Sequence, residues 1–164
     1  MPILIPLFWV FVGLALQILL FNHLSLAGGI ALTYLYMLIR VPVDWNRNVQ
    51  IVLGFLVGLI VDIFCNTPGL HALVCTTTMW LRLPMLHMFV VADDIKNGCP
   101  TYHRLGFSVF VRYLAVMVAI HCILLYLLEA FTLFNFLNLL LKIVITFVLS
   151  FGVLLTAEMA NDTK

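Results

Sequence analysis

Three residues capable of acid–base or transport chemistry lie within apolar stretches of this sequence: Asp62, His71 and Lys142. Asp62 and His71 both belong to the segment GLIVDIFCNTPGLHAL, residues 58–73. Charged groups are costly in apolar surroundings, and such residues commonly mark sites of catalysis, transport or helix association. One residue of each type does not by itself make a catalytic site, so their role depends on the elements that position them.

The composition indicates an integral membrane protein. Of the 164 residues, 65% are hydrophobic and 9% are charged, whereas soluble domains have about 45–50% apolar and about 25% charged residues. The net charge of +1 at pH 7 gives no general attraction for nucleic acid. The four cysteines lack the spacing of a zinc site. We predict one integral membrane domain over residues 1–164, with no metal and no nucleic-acid partner.

Six apolar runs approach the length of about 20 residues that a helix needs to cross a membrane. This predicts an all-α polytopic bundle of about six transmembrane helices. The predicted spans are residues 3–21, 24–41, 49–65, 68–82, 108–128 and 136–157. The first run has no basic region before it, so we expect a retained span rather than a cleaved signal peptide.

Lysine and arginine are concentrated in alternate loops. Arg40 and Arg47 follow the second run, and Lys96 and Arg104 lie between the fourth and the fifth, whereas the intervening loops carry neither residue. Under the positive-inside rule, both termini are therefore predicted to be cytoplasmic.

The end of the fourth span has two interpretations, because Arg82 and Pro84 interrupt its apolar run. In one, a long kinked helix buries Arg82. In the other, the span ends near Arg82, which reaches the cytoplasmic headgroups, and residues 84–92 lie along the interface. We favour the second, because a buried arginine would need a partner.

One face of the third span combines small residues with a carboxylate. Gly54, Gly58 and Asp62 recur at intervals of four residues, so they share a helix face. The Gly54–Gly58 step permits close approach of another helix. We assign Gly54, Gly58 and Gly69, which lies in the first turn of the next predicted span, to helix packing.

Thr67 and Pro68 fit a turn in which Thr67 is the N-cap of the fourth helix and Pro68 its first residue. Asp62 would then lie about 6 Å below the outer end of its helix. His71 would lie at a similar depth on the returning helix, so we expect the two side chains to be neighbours.

A polar stripe on the sixth span offers a second partner for Asp62. Asn135, Asn138 and Lys142 share one face, and Lys142 would lie about 10 Å below the outer surface. We predict that Asp62, His71 and Lys142 form a structural polar cluster. The alternative is that Lys142 extends to the surface and Asp62 is hydrated.

The other polar residues of the spans have simpler interpretations. Thr76, Thr77 and Thr78 can bond carbonyls of their own helix. The spacing of His87 and His121 does not support a haem site. No nucleophile, zinc or nucleotide motif is present, so we expect a protein that is not an enzyme and has no cofactor.

The stretch from Gly58 to Ala72 resembles the MreD family of rod shape-determining proteins. Its G-L-x-x-D element, turn and helix start correspond here to a set of six residues: Gly58, Leu59, Asp62, Gly69, His71 and Ala72. The arginine–proline element that often follows the fourth span in the family is matched by Arg82-Leu83-Pro84, with an inserted leucine.

The resemblance implies a non-enzymatic scaffold of the bacterial cell-elongation machinery in the inner (cytoplasmic) membrane. It implies binding to an MreC-like scaffold protein, with RodA, its transpeptidase partner and MreB as further partners, in contact with membrane lipid. Their joint task is lateral peptidoglycan synthesis. It also implies a fold similar to the substrate-binding subunits of energy-coupling-factor transporters.

Two other classes of function remain open from the sequence. A vitamin-like ligand could bind in an outer cavity near Asp62, His71, Trp80 or Tyr126. A lipid-modifying membrane enzyme is the third class, and the sequence has no recognisable motif for it.

Overall fold

The computed structural model describes residues 31–90, 98–130 and 136–161, and these residues form helices and connecting loops without a β-strand. The helices, in chain order, are α1 Leu35–Ile39, α2 Arg47–Cys65, α3 Leu70–Phe89, α4 Tyr102–Leu105, α5 Phe107–Glu129 and α6 Phe136–Asn161. The predicted span 3–21 and the first part of the span 24–41 lie outside the described residues.

Three of the described helices, α2, α5 and α6, are long and apolar enough to cross a membrane. The membrane class predicted from composition therefore has structural support. The 20-residue α3 is not among them, since it carries Arg82, two histidines and three threonines in an otherwise apolar sequence.

Helix α3 lies at the centre of the described bundle, packed between α2 and α5, and α6 packs on α5. Its contacts with α5 run antiparallel: Thr78 meets His121 near the middle, and Arg82 lies near Tyr113 closer to the start of α5. The end of the bundle that contains the α2–α3 turn is called the turn end below. The opposite end contains the start of α2 and the end of α6.

The predicted second span is not a continuous helix where it is described. Residues 31–41, called the central segment below, contain only the five-residue helix α1. Nearly all of the central segment is buried, and side chains of other helices bond its backbone. Irregular backbone is tolerated in a membrane protein where the surrounding protein satisfies its polar groups, and here Ser150 bonds the N–H of Leu32 and Arg82 bonds the carbonyl of Ile39. Pro42 disfavours helix at Val41 and so limits α1 at its far end.

Helix α2 has well-defined ends. Asn46 is its N-cap, with a side-chain oxygen that accepts from the backbone N–H of Asn48 at 3.1 Å. Asn66 ends it in the left-handed conformation, φ 55°. These ends place Asp62 in the last turn of α2, beside the start of α3.

Candidate functional site

The carboxylate of Asp62 binds the first turn of α3. Its Oδ1 accepts from the backbone N–H of His71 at 2.8 Å, and its Oδ2 accepts from that of Ala72 at 2.9 Å. The first N–H groups of a helix have no partner within the helix and favour a negative charge. Asp62 supplies both the acceptor and the charge from the preceding helix, so it caps α3 from outside.

The predicted capping role of Thr67 is wrong. Helix α3 begins two residues beyond Pro68, at Leu70, and its N-cap is Gly69, which has a left-handed φ of 80° and no side chain to cap with. The Thr67 hydroxyl instead donates to Asp62 Oδ1 at 2.7 Å. Thr67 and Pro68 remain in the turn, where Thr67 helps to hold the carboxylate that caps the helix.

His71 adds a third side chain to this turn. Its Nδ1 lies 3.1 Å from Asp62 Oδ1 and 3.0 Å from the Thr67 hydroxyl. Because that hydroxyl donates its proton to Asp62, Nδ1 must carry a proton to bond either oxygen. We call Asp62, Thr67, His71 and Ala72 the Asp62 turn. Its carboxylate is buried, with 5% of the residue exposed, and it accepts bonds from all three other members.

The glycines of α2 are spaced for direct contact with α3. A Cβ atom at Gly58 would come within 2.5 Å of the Cα atom of Ala72, which is backbone. A Cβ at Gly54 would meet Met79 Cγ at 2.6 Å and the Cys75 carbonyl oxygen at 3.0 Å. The helices therefore meet along the face that also carries Asp62. Gly69 is different: a Cβ there would meet no atom within 4 Å, so its role is its positive φ and not packing.

Lys142 is not part of the Asp62 turn. Within residues 31–90, 98–130 and 136–161, the ion pairs involve Asp62 with His71 and Arg40 with Glu158, and neither includes Lys142. Lys142 is half-buried on α6, a helix that packs mainly on α5. Asn138 of the same predicted stripe is exposed, and Asn135 lies outside the described residues.

A second polar group crosses the middle of the bundle. The Tyr34 hydroxyl lies 2.8 Å from His121 Nε2, and His121 Nδ1 lies 2.9 Å from the Thr78 hydroxyl. Thr78 also donates to the carbonyl oxygen of Val74 at 2.7 Å. These bonds connect the central segment to α3 and α5.

The hydrogen bonds fix the tautomer of His121. If Thr78 donates to Val74, then His121 Nδ1–H donates to Thr78 and Nε2 accepts from Tyr34, so every proton has an acceptor. In the opposite tautomer, the Tyr34 hydroxyl proton would have no acceptor among the described contacts. The buried imidazole is therefore neutral, with its proton on Nδ1. Thr76 and Thr77 also bond carbonyls four residues earlier, as the sequence predicts for all three threonines.

The favoured prediction for Arg82 and Pro84 is wrong. Helix α3 continues through Pro84 to Phe89, and Arg82 has 0% exposure. Its guanidinium donates to Gln50 Oε1 at 2.6 Å and to the carbonyl oxygens of Ile39 and Val41. The partners that a buried arginine needs are thus Gln50 and two carbonyls, one at the C-terminal end of α1 and one just beyond it, where carbonyls have no helical donor. The central segment covers Arg82, and that contact could not be seen from the α3 sequence.

Glu158, which sequence analysis did not select, is the buried carboxylate at the opposite end of the bundle. Its Oε2 accepts from the Tyr36 hydroxyl at 2.9 Å and lies 3.5 Å from Arg40 Nε, and its Oε1 accepts from the backbone N–H of Tyr102 at 3.2 Å. Glu158 is 2% exposed. The sequence feature that could have identified Glu158 is an acidic residue in the last turns of an apolar span, as for Asp62 in α2.

These buried polar groups share one property: each bonds two or more segments of the chain. Asp62 joins α2 to α3, His121 joins α5 to the central segment and α3, and Arg82 joins α3 to α1 and α2. Both described buried carboxylates accept hydrogen bonds on both of their oxygens. The arrangement fixes helix positions and directs neither carboxylate at an open site.

Comparison with protein families, with curated proteins and with solved structures finds no match to this chain.

Proposed function

We propose that this protein is a non-enzymatic membrane scaffold of the bacterial cell-elongation machinery, similar to MreD. The observation that supports the proposal most is the Asp62 turn. The residues that resemble the family, Gly58, Asp62, His71 and Ala72, are the residues that join α2 to α3 by hydrogen bonds and backbone contact. A segment with that role is used for rigidity, which suits a protein whose task is to hold partners in place.

The proposal includes location and partners. The chain would be a multi-pass protein of the bacterial inner membrane with both termini in the cytoplasm, as the distribution of Lys and Arg indicates. An MreC-like protein would bind its membrane helices, and RodA, its transpeptidase partner and MreB would complete the complex. The same proposal includes a fold similar to that of the substrate-binding subunits of energy-coupling-factor transporters.

The alternative of a vitamin-like ligand gains no support from the described geometry. Asp62 and His71 lie at the turn end and bond each other, and the Tyr126 hydroxyl is paired with Thr146. Trp80 contacts Arg47, the first residue of α2, and so lies away from the turn end. These four residues do not surround one cavity.

Depletion of the protein in its source bacterium tests the proposal. We expect rod-shaped cells to become round and lateral wall synthesis to become dispersed, with recovery on expression of the wild-type chain. The control is Gly152→Ala, at an open position on α6, which should restore shape as well as the wild type does. Depleted cells that remain rods with an unchanged wall-synthesis pattern would contradict the scaffold role.

A further inference from the structure

The side chain of Arg47 is bound to the backbone and to the ring of one tryptophan. Pro84 lies inside α3 and has no N–H, so the carbonyl oxygen of Trp80, four residues earlier, lacks its usual helical donor. Arg47 Nη2 donates to that oxygen at 3.2 Å. The guanidinium carbon also lies 5.4 Å from the centre of the Trp80 ring, which is within cation–π range. The proline in α3 thus creates the acceptor that positions Arg47.

Arg47 lies at the border between the apolar and the polar surface of the molecule, because α2 begins there after an exposed polar loop. Trp80 is 52% exposed, and the α2 residues Val49 and Val52 are 50% and 56% exposed. On the other side of Arg47, Asp44 and Asn46 are exposed in the loop. Tryptophan is enriched where a membrane meets water, because its ring is apolar and its N–H is polar. A border of this kind, with a tryptophan beside it, is expected at the headgroup level of a membrane.

The charge of Arg47 has no carboxylate partner among the described residues, whose ion pairs are Arg40–Glu158 and His71–Asp62. A guanidinium carries several N–H donors in one plane, and the bond to Trp80 occupies one nitrogen. The remaining donors are suited to phosphate oxygens, which an arginine can bind in pairs. A membrane supplies phosphate at this level in its lipid headgroups.

We propose that Arg47 and Trp80 form a binding site for an anionic phospholipid. The phosphate would accept from Arg47, and the acyl chains would lie along the exposed apolar surface of α2 beside Trp80. The lipid is the occupant because exposed apolar side chains continue directly from the cation. The proposal depends on the membrane location of the chain and on none of the proposed protein partners, so it can fail while the scaffold role stands.

Quenching of Trp80 fluorescence by brominated lipid tests the site directly. Trp9→Phe and Trp45→Phe leave Trp80 as the one tryptophan of the chain. The purified protein is placed in vesicles that mix phosphatidylglycerol with phosphatidylcholine. In one sample the phosphatidylglycerol is brominated, and in the other the phosphatidylcholine is brominated. We expect Trp80 to prefer the anionic lipid roughly fivefold, as for one basic side chain near an anionic surface.

Arg47→Gln should reduce this preference to about one, and Arg47→Lys should retain part of it, because the charge remains and the planar donors are lost. The matched control is Arg112→Gln, which removes an exposed arginine from α5 and should leave the preference unchanged. Equal quenching by both lipids would overturn the proposal. So would a preference that survives Arg47→Gln, or a Trp80 that neither lipid quenches.

Discussion

The Oδ2 atom of Asp62 accepts the backbone N–H of Ala72 at 2.9 Å, so a carboxylate of α2 caps α3. Ala72 is also the residue that a Cβ atom at Gly58 would contact. One short part of α3 is therefore held by a charge and by close backbone packing together. This relationship gives the Asp62 turn its structural role, and it leads to tests of each contact.

Gly58→Ala should destabilise the protein more than Gly54→Ala. The new methyl group at Gly58 would meet the backbone of α3, which cannot move aside without separating the helices, whereas at Gly54 the nearest atom belongs to the Met79 side chain. We expect the unfolding free energy to fall by about 2 kcal/mol for Gly58→Ala and by about 1 kcal/mol for Gly54→Ala. Unfolding in mixed micelles measures both.

Gly152→Ala is the control for the glycine series. A Cβ at Gly152 would meet no atom within 4 Å, and alanine is the better helix former by roughly 0.5–1 kcal/mol. The stability should stay equal or rise slightly. Equal losses at all three glycines would contradict close packing as the reason for the effect at Gly58.

Arg82→Leu should be strongly destabilising, by about 3 kcal/mol or more, because Gln50 and two backbone carbonyls would lose their donor inside the bundle. Arg82→Lys should be less harmful, since an ammonium keeps the charge, but it should not match the wild type, because it cannot reach all of these acceptors. In an Arg82→Leu/Gln50→Leu double variant, the loss should be smaller than the sum of the single losses. Strict additivity would show that the two side chains do not interact.

The Tyr34–His121 pair predicts a tautomer that NMR can observe. The ¹⁵N shifts of His121 should show a protonated Nδ1 and an unprotonated Nε2. Tyr34→Phe removes the donor to Nε2, so the Nε2 shift should change while Nδ1 stays bonded to Thr78. A proton on Nε2 in the wild-type protein would contradict the assignment of donors and acceptors.

Glu158→Gln should loosen the loop near α4. The amide cannot accept on both sides as the carboxylate does, so either the N–H of Tyr102 or the Tyr36 hydroxyl loses its acceptor. In either orientation of the amide, the N–H of Tyr102 no longer bonds a charged acceptor. Its exchange should become roughly tenfold faster, since a hydrogen bond to a charged group contributes about 1.5 kcal/mol or more. Glu129→Gln, at an exposed acid at the end of α5, is the control and should leave Tyr102 exchange unchanged.

Sequence reasoning located the face on which α2 and α3 meet, because glycines and an acid at intervals of four identify a helix face without knowledge of the fold. It also indicated that Asp62 and His71 lie at the same depth, since a short turn joins their helices. It did not give the start of α3. The capping groups there are a side chain eight residues earlier than Leu70 and a left-handed Gly69, whereas local cap patterns look only at the residue next to the helix.

The contacts of the central segment were beyond sequence reasoning for a different reason. Tyr34 and His121 lie in uniformly apolar runs, 87 positions apart, and periodicity within a run does not specify its partner in another. The burial of Arg82 likewise depends on carbonyl groups of Ile39 and Val41, which every residue possesses. Contacts made through the backbone of an irregular segment therefore cannot be inferred from its residue types.

The cap that Asp62 provides to α3 is tested most directly by the unfolding free energy of Asp62→Asn in wild-type and Lys142→Gln backgrounds. In the variant, the asparagine NH₂ would face one of the backbone N–H groups from which the wild-type carboxylate accepts a hydrogen bond. We therefore predict that the unfolding free energy falls by about 2 kcal/mol. Because Lys142 forms no ion pair with Asp62 among the described residues, the loss should be the same in both backgrounds. A loss that disappears in the Lys142→Gln background, or the absence of any loss in the wild type, would contradict the cap.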